Sequence, residues 1–493
     1  MKRVKKLYYI GIDLGTTGCK AVVYSDEQGV LGDEYVEYPL IVLSQREVEQ
    51  DANLWWDLTC RVVKASVEKS GVDPRQIEAL SLSTQGLSFV LVDRNLNTLT
   101  NAISWLDTRP VEETGQIKAK YDEKEVFAVT GKRISETYVL PKLMWVKKHM
   151  PEQWAKAYRV LMPVDFLTAK MTGACITDHT LAAGTMMYDI HTQTWCEEYI
   201  NAFDIEKEKL PEIAFAGTIA GTLTPAAAEK MGLPTSVKVA IGGQDQKVAA
   251  LFVQPDLKTA TLSMGTAGAI EFLCDKAITD PQMRLPAFSY LVPDRWTLEA
   301  VISTTGACLK WFRNTLFEGQ KFRQLDRWAE ESVPGSNGLL FYPHLSGASS
   351  PIWNSGLHGS FHGVTLDTSK NDFCRAVLEG VAFQLKSNVV AFEELCRPLE
   401  NINIFGGGGS SPTWCQIICD ITGKRINAFA YSEVCSLGAA KLAYMGVHGG
   451  DASGFGSMYL KDFKTYTPDP ERYAAYQQIY KDYIKLENLL LKG

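Results

Sequence analysis

Two short stretches, Gly15-Thr16-Thr17-Gly18 and Gly265-Thr266-Ala267-Gly268, stand about 250 residues apart in the same setting. Each follows an apolar run, Tyr8 to Asp13 in one case and Thr259 to Met264 in the other. Each is followed by a second run, Lys20 to Tyr24 or Ala269 to Cys274. Apolar runs of this length broken by Gly/Thr turns read as strands of a β-meander. A unit that recurs with its context predicts two similarly built halves, residues 1–250 and 251–493, each long enough to bury its own core. No short-period repeat competes with this reading.

The spacing between the turns is filled by both helical and strand patterns. Asp51 is placed to cap a helix with Leu54, Leu58, Val62 and Ala65 on one face, ended by Gly71. Strands are expected over 77–83, 89–93, 237–241 and 401–405, and helices over 123–128, 141–149, 163–171, 247–252, 371–396, 413–421 and 470–491. Ser369-x-x-Asp372 fits a capping box at the head of the longest helix. Hairpins mixed with helices imply α/β domains on mixed sheets.

Composition narrows the partners. Lys and Arg total 50 against 57 Asp and Glu, a net charge of −7, which leaves no basic excess for nucleic acid or an anionic membrane. The long uncharged stretches 333–361 and 401–419 are rich in Gly, Ser, Pro and Asn, so they read as loops and turns and not as membrane spans. The N-terminal run Lys2-Arg3-Val4-Lys5-Lys6 precedes too short an apolar segment for a secretory leader. Eleven cysteines without a C-x-x-C pair suit reduced, mostly buried thiols in a cytoplasmic protein.

Four features carry candidate chemistry, and each has a plain structural alternative. Gly15, Thr16 and Thr17 offer backbone N–H groups and hydroxyls to an anion, with Lys20 just beyond and Asp13 placed for Mg²⁺. The alternative is a hairpin whose Asp bonds its own turn. Gly265 and Thr266 repeat this logic, again against a plain hairpin. Gly406 to Ser411 lie between a strand and a helix, and four successive glycines exceed what a tight connection needs. Asp245 follows Gly242-Gly243-Gln244 at a strand–helix junction, where it is either a cap or a general base for phosphoryl transfer. No P-loop and no protein-kinase motif set is present.

These residues resemble the FGGY carbohydrate kinases, the family of glycerol kinases and xylulokinases, within the larger actin/hexokinase-like (ribonuclease H-like) fold. The resemblance spans nearly the whole chain. Its most specific element is Gly359-Ser-Phe-His-Gly363-Val364, followed after seven residues by Asp372-Phe373-Cys-Arg-Ala376-Val377-Leu378-Glu379. Pro141-Lys142-Leu143-Met144-Trp145 is similar to the N-terminal signature, with a departure at Val139, and Trp105-Leu-Asp107-Thr-Arg109 resembles the family's Trp-x-Asp-x-Arg stretch.

The resemblance implies two domains with an active-site cleft between them and ATP with Mg²⁺ as cofactors. It implies Asp13 at the metal and Gly15, Thr16, Thr17 and Lys20 around the phosphates. Gly265, Thr266, Gly306, Lys310, Gly407, Gly408 and Ser411 fall to the nucleotide. Asp245 becomes the catalytic base. Gln85, Gly86, Leu87, Trp105, Asp107, Asp245 and Gln246 fall to the sugar. The implied partners are a small-molecule sugar and ATP, and a homodimer is compatible with the family.

In the loop Ser83-Thr84-Gln85-Gly86-Leu87-Ser88, glycerol kinases carry Arg-Glu and xylulokinases usually Met-His where Gly86-Leu87 stands. The expected reaction is γ-phosphate transfer from ATP to a hydroxyl of a ketose, a xylulose-like pentulose first, with another polyol, ketose or sugar acid as alternatives. Two other classes stay open. One is a chaperone-like or filament-forming ATPase of the superfamily, which needs no hydroxyl base. The other is a catalytically retired sugar sensor.

Overall fold

The structure, a computed structural model, describes residues 7–253, 255–431 and 433–491. The basic run at Lys2–Lys6 lies outside the described residues. The chain forms two compact units. The first comprises Met1–Phe252 and also takes in two later segments, Ala287–Trp296 and Glu433–Leu460. The second comprises Val253–Pro286, Thr297–Ser432 and Lys461–Gly493.

The first unit is built on a mixed sheet of β1 (Tyr8–Leu14), β2 (Gly18–Ser25), β3 (Gly29–Glu37), β4 (Ile77–Thr84), β5 (Ile219–Thr222), β6 (Lys238–Ala240) and β7 (Gly243–Gln244). The order is β5-β6-β4-β1-β2-β3, with β7 also against β4. The meander β1-β2-β3 is antiparallel, whereas β4 runs parallel to β1, β6 and β7. The helix Val434–Val447 packs on β1 and β4. It comes so near that a Cβ on Gly11 would collide with the carbonyl oxygen of Ser436, so glycine is required there.

Ala52–Ser70 forms the expected helix. The Asp51 carboxylate accepts from the Asn53 N–H at 2.9 Å, and Gly71 ends the helix in the left-handed region at φ 66°. Its buried face is rotated from the expected stripe. Trp55, Thr59, Val62, Val63 and Ser66 are buried, while Leu54 and Ala65 sit half-buried at the margin. Trp55 decides this rotation, because an indole buries more area than either aliphatic residue. The helix expected over 141–149 starts earlier, at Val139, which places Pro141 in the first turn, where its missing N–H costs nothing.

The second unit has its own mixed sheet. Five strands lie wholly within it: β8 (Thr259–Met264), β9 (Gly268–Cys274), β10 (Asn401–Phe405), β11 (Arg425–Phe429) and β12 (Phe463–Tyr466), in the order β9-β8-β10-β11-β12. An antiparallel hairpin, β8-β9, sits beside a parallel strand, β10, as β1-β2 sits beside β4. The recurrence of the Gly-Thr turns thus reflects a recurrence of topology.

The 26-residue helix Lys370–Leu395 is buried along most of its length. Its capping box is formed: Ser369 Oγ accepts from the Asp372 N–H at 3.3 Å, and Asp372 Oδ2 accepts from the Ser369 N–H at 2.9 Å. Glu379 on this helix takes the Arg375 Nε at 2.7 Å, the Tyr476 hydroxyl at 2.5 Å and the Ser336 hydroxyl at 3.0 Å. A buried charge stays in place only when paired and bonded in this way. All eleven cysteines are free thiols. No helix among the described residues is long and apolar enough to cross a membrane.

Candidate active site

Strand register brings together the candidate residues of the first unit. Asp13 on β1 lies opposite Ser83 on β4, and Ser83 lies opposite Gly243 on β7. With neighbouring strands about 4.8 Å apart, the three positions form a row about 10 Å long. The strands are parallel, so the row lies at their carboxyl ends, where α/β sheets receive ligands. The Ser83 hydroxyl donates to Asp13 Oδ1 at 2.9 Å. Burial pushes the Asp13 carboxyl up to about 6, against the opposing pull of Ser83 and of the Lys20 ammonium.

Two residues beyond Gly243, Asp245 opens the helix Asp245–Phe252, and its Oδ1 accepts from the Gln246 N–H at 2.7 Å. Cys435 stands beside both carboxylates. Burial raises its thiol first, and the negative charges of Asp13 and Asp245 raise it further. Lys20 Nζ reaches Glu433 at 2.9 Å and Asp33 at 3.6 Å. Glu433 and Cys435 belong to a segment more than 400 residues from Asp13, and no local sequence signal connects them.

The Gly15–Gly18 turn is fastened to the loop after β4. Gly15 N–H donates to Gly18 O at 2.9 Å, and the Tyr38 hydroxyl donates to the Gly15 carbonyl. The Gln50 amide donates to Thr16 O at 2.7 Å and accepts from the Gln85 amide at 2.9 Å. The Trp105 indole donates to the Thr16 hydroxyl at 3.0 Å. Thr17 is exposed, and its carbonyl accepts from the Tyr38 N–H at 2.9 Å.

Leu87 has a left-handed backbone at φ 65°, a conformation that side chains other than glycine adopt at a cost. Its side chain fills the space that a Cβ on Gly184 would take. Gly86 packs against the Gln244 side chain, whose buried Oε1 has no hydrogen-bond partner among the described residues.

Asp107 is fully buried. Its Oδ2 accepts from Val48 N–H and Arg109 Nε, each at 2.8 Å, and its Oδ1 from Arg109 N–H at 3.0 Å. These bonds brace the loop that carries Trp105. Lys142 supports the same loop, donating to the Ser104 carbonyl at 2.8 Å and the Trp105 carbonyl at 3.3 Å. Burial lowers the Lys142 ammonium to about 7, and Asp107 partly offsets this. Gln246 is half-buried.

In the second unit the Gly265–Gly268 turn is docked on the head of the helix Gly306–Leu316. Gly306 N–H donates to Gly265 O at 3.0 Å, Ala307 N–H to Thr266 O at 3.0 Å, and Thr305 N–H to Thr266 O at 3.1 Å. A Cβ on Gly306 would lie 2.5 Å from Gly265 O, so only glycine permits this approach. Lys310, one turn further on, is exposed.

The glycine run lies beside the same turn, because Ser263 pairs with Phe405 and a Cβ on Gly408 would meet the Met264 side chain. Gly407 faces open space. Ser411 caps the helix Pro412–Thr422 through Trp414 N–H at 3.1 Å and donates to Asp326 Oδ2 at 2.9 Å. Burial raises the Asp326 carboxyl, and its buried Oδ1 has no hydrogen-bond partner among the described residues. Sequence reasoning passed over Asp326 and Gln244, because a lone polar residue on a helix or strand end carries no pattern.

The residues present fit a nucleotide with its cation. Burial disfavours the ionised form of Asp13, so a cation would stabilise it. No group of three or more His, Cys, Asp or Glu able to hold a metal occurs among the described residues. The open space beside Gly407 leaves room for a flat ring on bare backbone.

Residues 8–252 match the N-terminal domain of the FGGY family of carbohydrate kinases, and residues 260–447 match its C-terminal domain. A xylulose kinase of Escherichia coli strain K12 is 30% identical over 485 residues, 98% of this chain and 99% of that one. Two solved structures from Lactobacillus acidophilus, a gluconate kinase and a ligand-bound xylulose kinase, each superpose with a TM-score of 0.92 at 27% identity, covering 98% of both chains. With both halves matched and the fold shared from end to end, the chain belongs to the FGGY family of carbohydrate kinases, phosphotransferases whose acceptor is a sugar hydroxyl.

Proposed function

We propose that this kinase transfers the γ-phosphoryl group of ATP to a hydroxyl of a xylulose-like pentulose, with Asp245 as general base. The observation that carries the reading is the row Asp13, Ser83, Gly243 at the carboxyl ends of parallel strands, with Asp245 two residues beyond it. ATP supplies the transferable phosphoryl group, and Mg²⁺ supplies neutralising charge.

The chain's own residues do the rest. Asp245 accepts the proton of the sugar hydroxyl as that oxygen becomes a nucleophile. Asp13, held by Ser83, would hold the cation. The N–H groups and hydroxyls of Gly15, Thr16 and Thr17, and those of Gly265 and Thr266, are the groups proposed to bind phosphate oxygens. Gly306 keeps the second of these turns in place, and Lys20, oriented by Glu433, adds positive charge. Gly407, Gly408, Ser411 and Lys310 surround the nucleoside end.

The sugar lies along Gln85, Gly86, Leu87, Trp105, Gln244 and Gln246. Gln244 Oε1 accepts from one of its hydroxyls, which gives that buried oxygen its missing partner. Asp107 acts on the sugar through the Trp105 loop that it braces. The likeness to xylulose kinases over nearly the full chain favours a pentulose. A sugar acid is the second reading. Gly86-Leu87 offers no charged side chain to a ketose, and the gluconate kinase fold superposes equally well.

A coupled ADP-release screen over pentuloses, hexuloses, polyols and aldonates separates these readings, with the highest kcat/KM expected on a pentulose. Asp245→Asn should lower kcat on that sugar by about 10²–10⁴ and leave nucleotide binding near normal. A wild-type rate in that variant would remove Asp245 from the role of base.

A further inference from the structure

We propose that Cys274 and Cys396 form a reversible dithiol–disulfide site in the second unit, away from the residues assigned to phosphoryl transfer. Cys274 ends β9 and is buried, while Cys396 caps the helix Lys370–Leu395 and is half-buried. Two contacts bring these chain ends together. The rings of Phe272 and Phe392, just upstream of each cysteine, stack with centroids 4.4 Å apart and planes 8° from parallel. Just downstream, Arg397 Nη2 binds Asp275 Oδ1 at 2.7 Å. These clamps bracket the two cysteines, and the Cys274 thiol itself donates to the Phe272 carbonyl at 3.6 Å.

The pair is unequal in a way that suits exchange chemistry. The neighbouring Cys274 thiol, and then the Arg397 guanidinium, hold the Cys396 thiol below the usual range. The neighbouring Cys396 sulfur, and burial, push the Cys274 thiol up. Cys396 is therefore the attacking sulfur and Cys274 the resolving one. Cys396 has left helical geometry, at φ −131° and ψ −83°, and residues 397–400 after it form neither helix nor strand, so its sulfur can shift to bonding distance without unwinding the helix.

A peroxide is the oxidant class that the site takes. The Cys396 thiolate attacks one peroxide oxygen and breaks the O–O bond. This forms a sulfenic acid, and the hydroxide released leaves as water after taking up a proton. Cys274 then gives up its proton, its sulfur attacks the Cys396 sulfur, and the sulfenic oxygen departs as a second water. Two thiols and one hydrogen peroxide become one disulfide and two waters. The crosslink pins the end of β9 to the end of the long helix, about 20 Å along the strand from the Gly265–Gly268 turn. It should raise thermal resistance by closing a long loop and leave turnover unchanged.

The test uses the full-length reduced protein treated with hydrogen peroxide, alkylated, digested and weighed. The expected product is the Cys274 peptide linked to the Cys396 peptide, two hydrogens lighter than the reduced pair and restored by dithiothreitol. Arg397→Gln should slow its formation about threefold or more, through loss of thiolate. Cys274→Ser should stop the reaction at a sulfenic acid on Cys396 that dimedone traps. Cys396→Ser, at a half-exposed helix end, should abolish the linked peptide and keeps the test valid even where a change at buried Cys274 unfolds the unit. The proposal is overturned if both cysteines stay fully alkylatable after peroxide, if Cys396 passes to sulfinic acid without a linked product, or if the link joins two chains. None of these outcomes depends on which sugar is phosphorylated.

Discussion

The indole N–H of Trp105 donates to the hydroxyl of Thr16 at 3.0 Å, so the loop assigned to the sugar and the turn assigned to phosphate share one hydrogen bond. A second route joins the same two places, from Gln85 through Gln50 to the Thr16 carbonyl. Two groups with different proposed ligands are therefore one mechanical body within the first unit.

Cutting the direct bond should be felt at both ligands. Trp105→Phe keeps an aromatic ring and removes the donor, while Thr16→Val keeps the shape and removes the acceptor. Each should lower kcat/KM about fivefold, the value of one hydrogen bond near 1 kcal/mol. Because both changes cut the same bond, the double variant should be little worse than either single one. Steady-state kinetics on the four proteins of this cycle decide the matter, and fully additive losses would mean that the bond carries no coupling.

Lys142 supports the Trp105 loop from inside the protein, as a buried ammonium on two backbone carbonyls. Lys142→Met retains the stem and removes the donors. It should cost about 1.5–3 kcal/mol of stability, the usual worth of hydrogen bonds to a charged group. The sugar KM should rise about tenfold with the nucleotide KM unchanged, as expected of lost positioning. Urea unfolding and separate KM titrations read the two effects, and an unaltered sugar KM would show that the loop stands without Lys142.

Gly306 is the corresponding support in the second unit. An alanine there would put its Cβ 2.5 Å from the Gly265 carbonyl and force the Gly265–Gly268 turn away from its helix. Gly306→Ala should raise the ATP KM by about tenfold or more while the sugar KM stays near wild type. Isothermal titration with a non-hydrolysable ATP analogue measures the loss directly, and unchanged nucleotide affinity would exclude the turn from phosphate binding.

Local chemistry made much of the fold legible. Caps at Asp51 and Ser369, the left-handed Gly71 and the two Gly-Thr turns each depend on residues within a few positions of one another. The face of the helix Ala52–Ser70 was harder to place, because apolar spacing alone does not weigh an indole against a leucine. The return of Glu433 and Cys435 to the row that holds Asp13 was invisible, since nothing near residue 433 encodes a contact made by strand order. The family signature is instructive in another way. Asp372 and Glu379 identify the chain, yet they spend their oxygens on Ser332, Asn337, Arg375 and Tyr476, so what they preserve is the setting of a buried helix.

His179 gives the first unit a dependence on acid. Its ring is 7% exposed, lies tilted against Phe215 and meets the Tyr188 hydroxyl at 2.7 Å. Burial lowers its pKa from 6.5 to about 4. Between these values the unfolded ring binds a proton that the folded ring refuses, so stability is highest above pH 6.5 and drains as pH falls to 4. The loss should approach roughly 3 kcal/mol, from the size of the shift. Urea midpoints measured from pH 7 to pH 4 should fall in wild type and fall less steeply in His179→Gln. An identical slope in the two proteins would assign the acid sensitivity to other groups.

Leu87 and Gly184 set the shape of the proposed sugar loop. Leu87 holds a left-handed backbone, and its side chain occupies the space that glycine leaves open at position 184. Gly184 itself has an ordinary right-handed conformation at φ −77°, so alanine is compatible with the backbone there. The main demand of Gly184→Ala is that the Leu87 side chain move, with a smaller adjustment at the Leu181 carbonyl, 3.2 Å from the new Cβ. Since Gly86 packs on Gln244, that movement should reach the buried oxygen proposed to bind a sugar hydroxyl. The sugar KM should rise about threefold to tenfold, with kcat and the ATP KM within twofold of wild type, a pattern of lost ground-state binding. Adding Leu87→Ala to Gly184→Ala should recover part of the loss, because the smaller side chain no longer meets the new methyl group. If Gly184→Ala left the sugar KM untouched, Leu87 would be packing without a part in substrate selection.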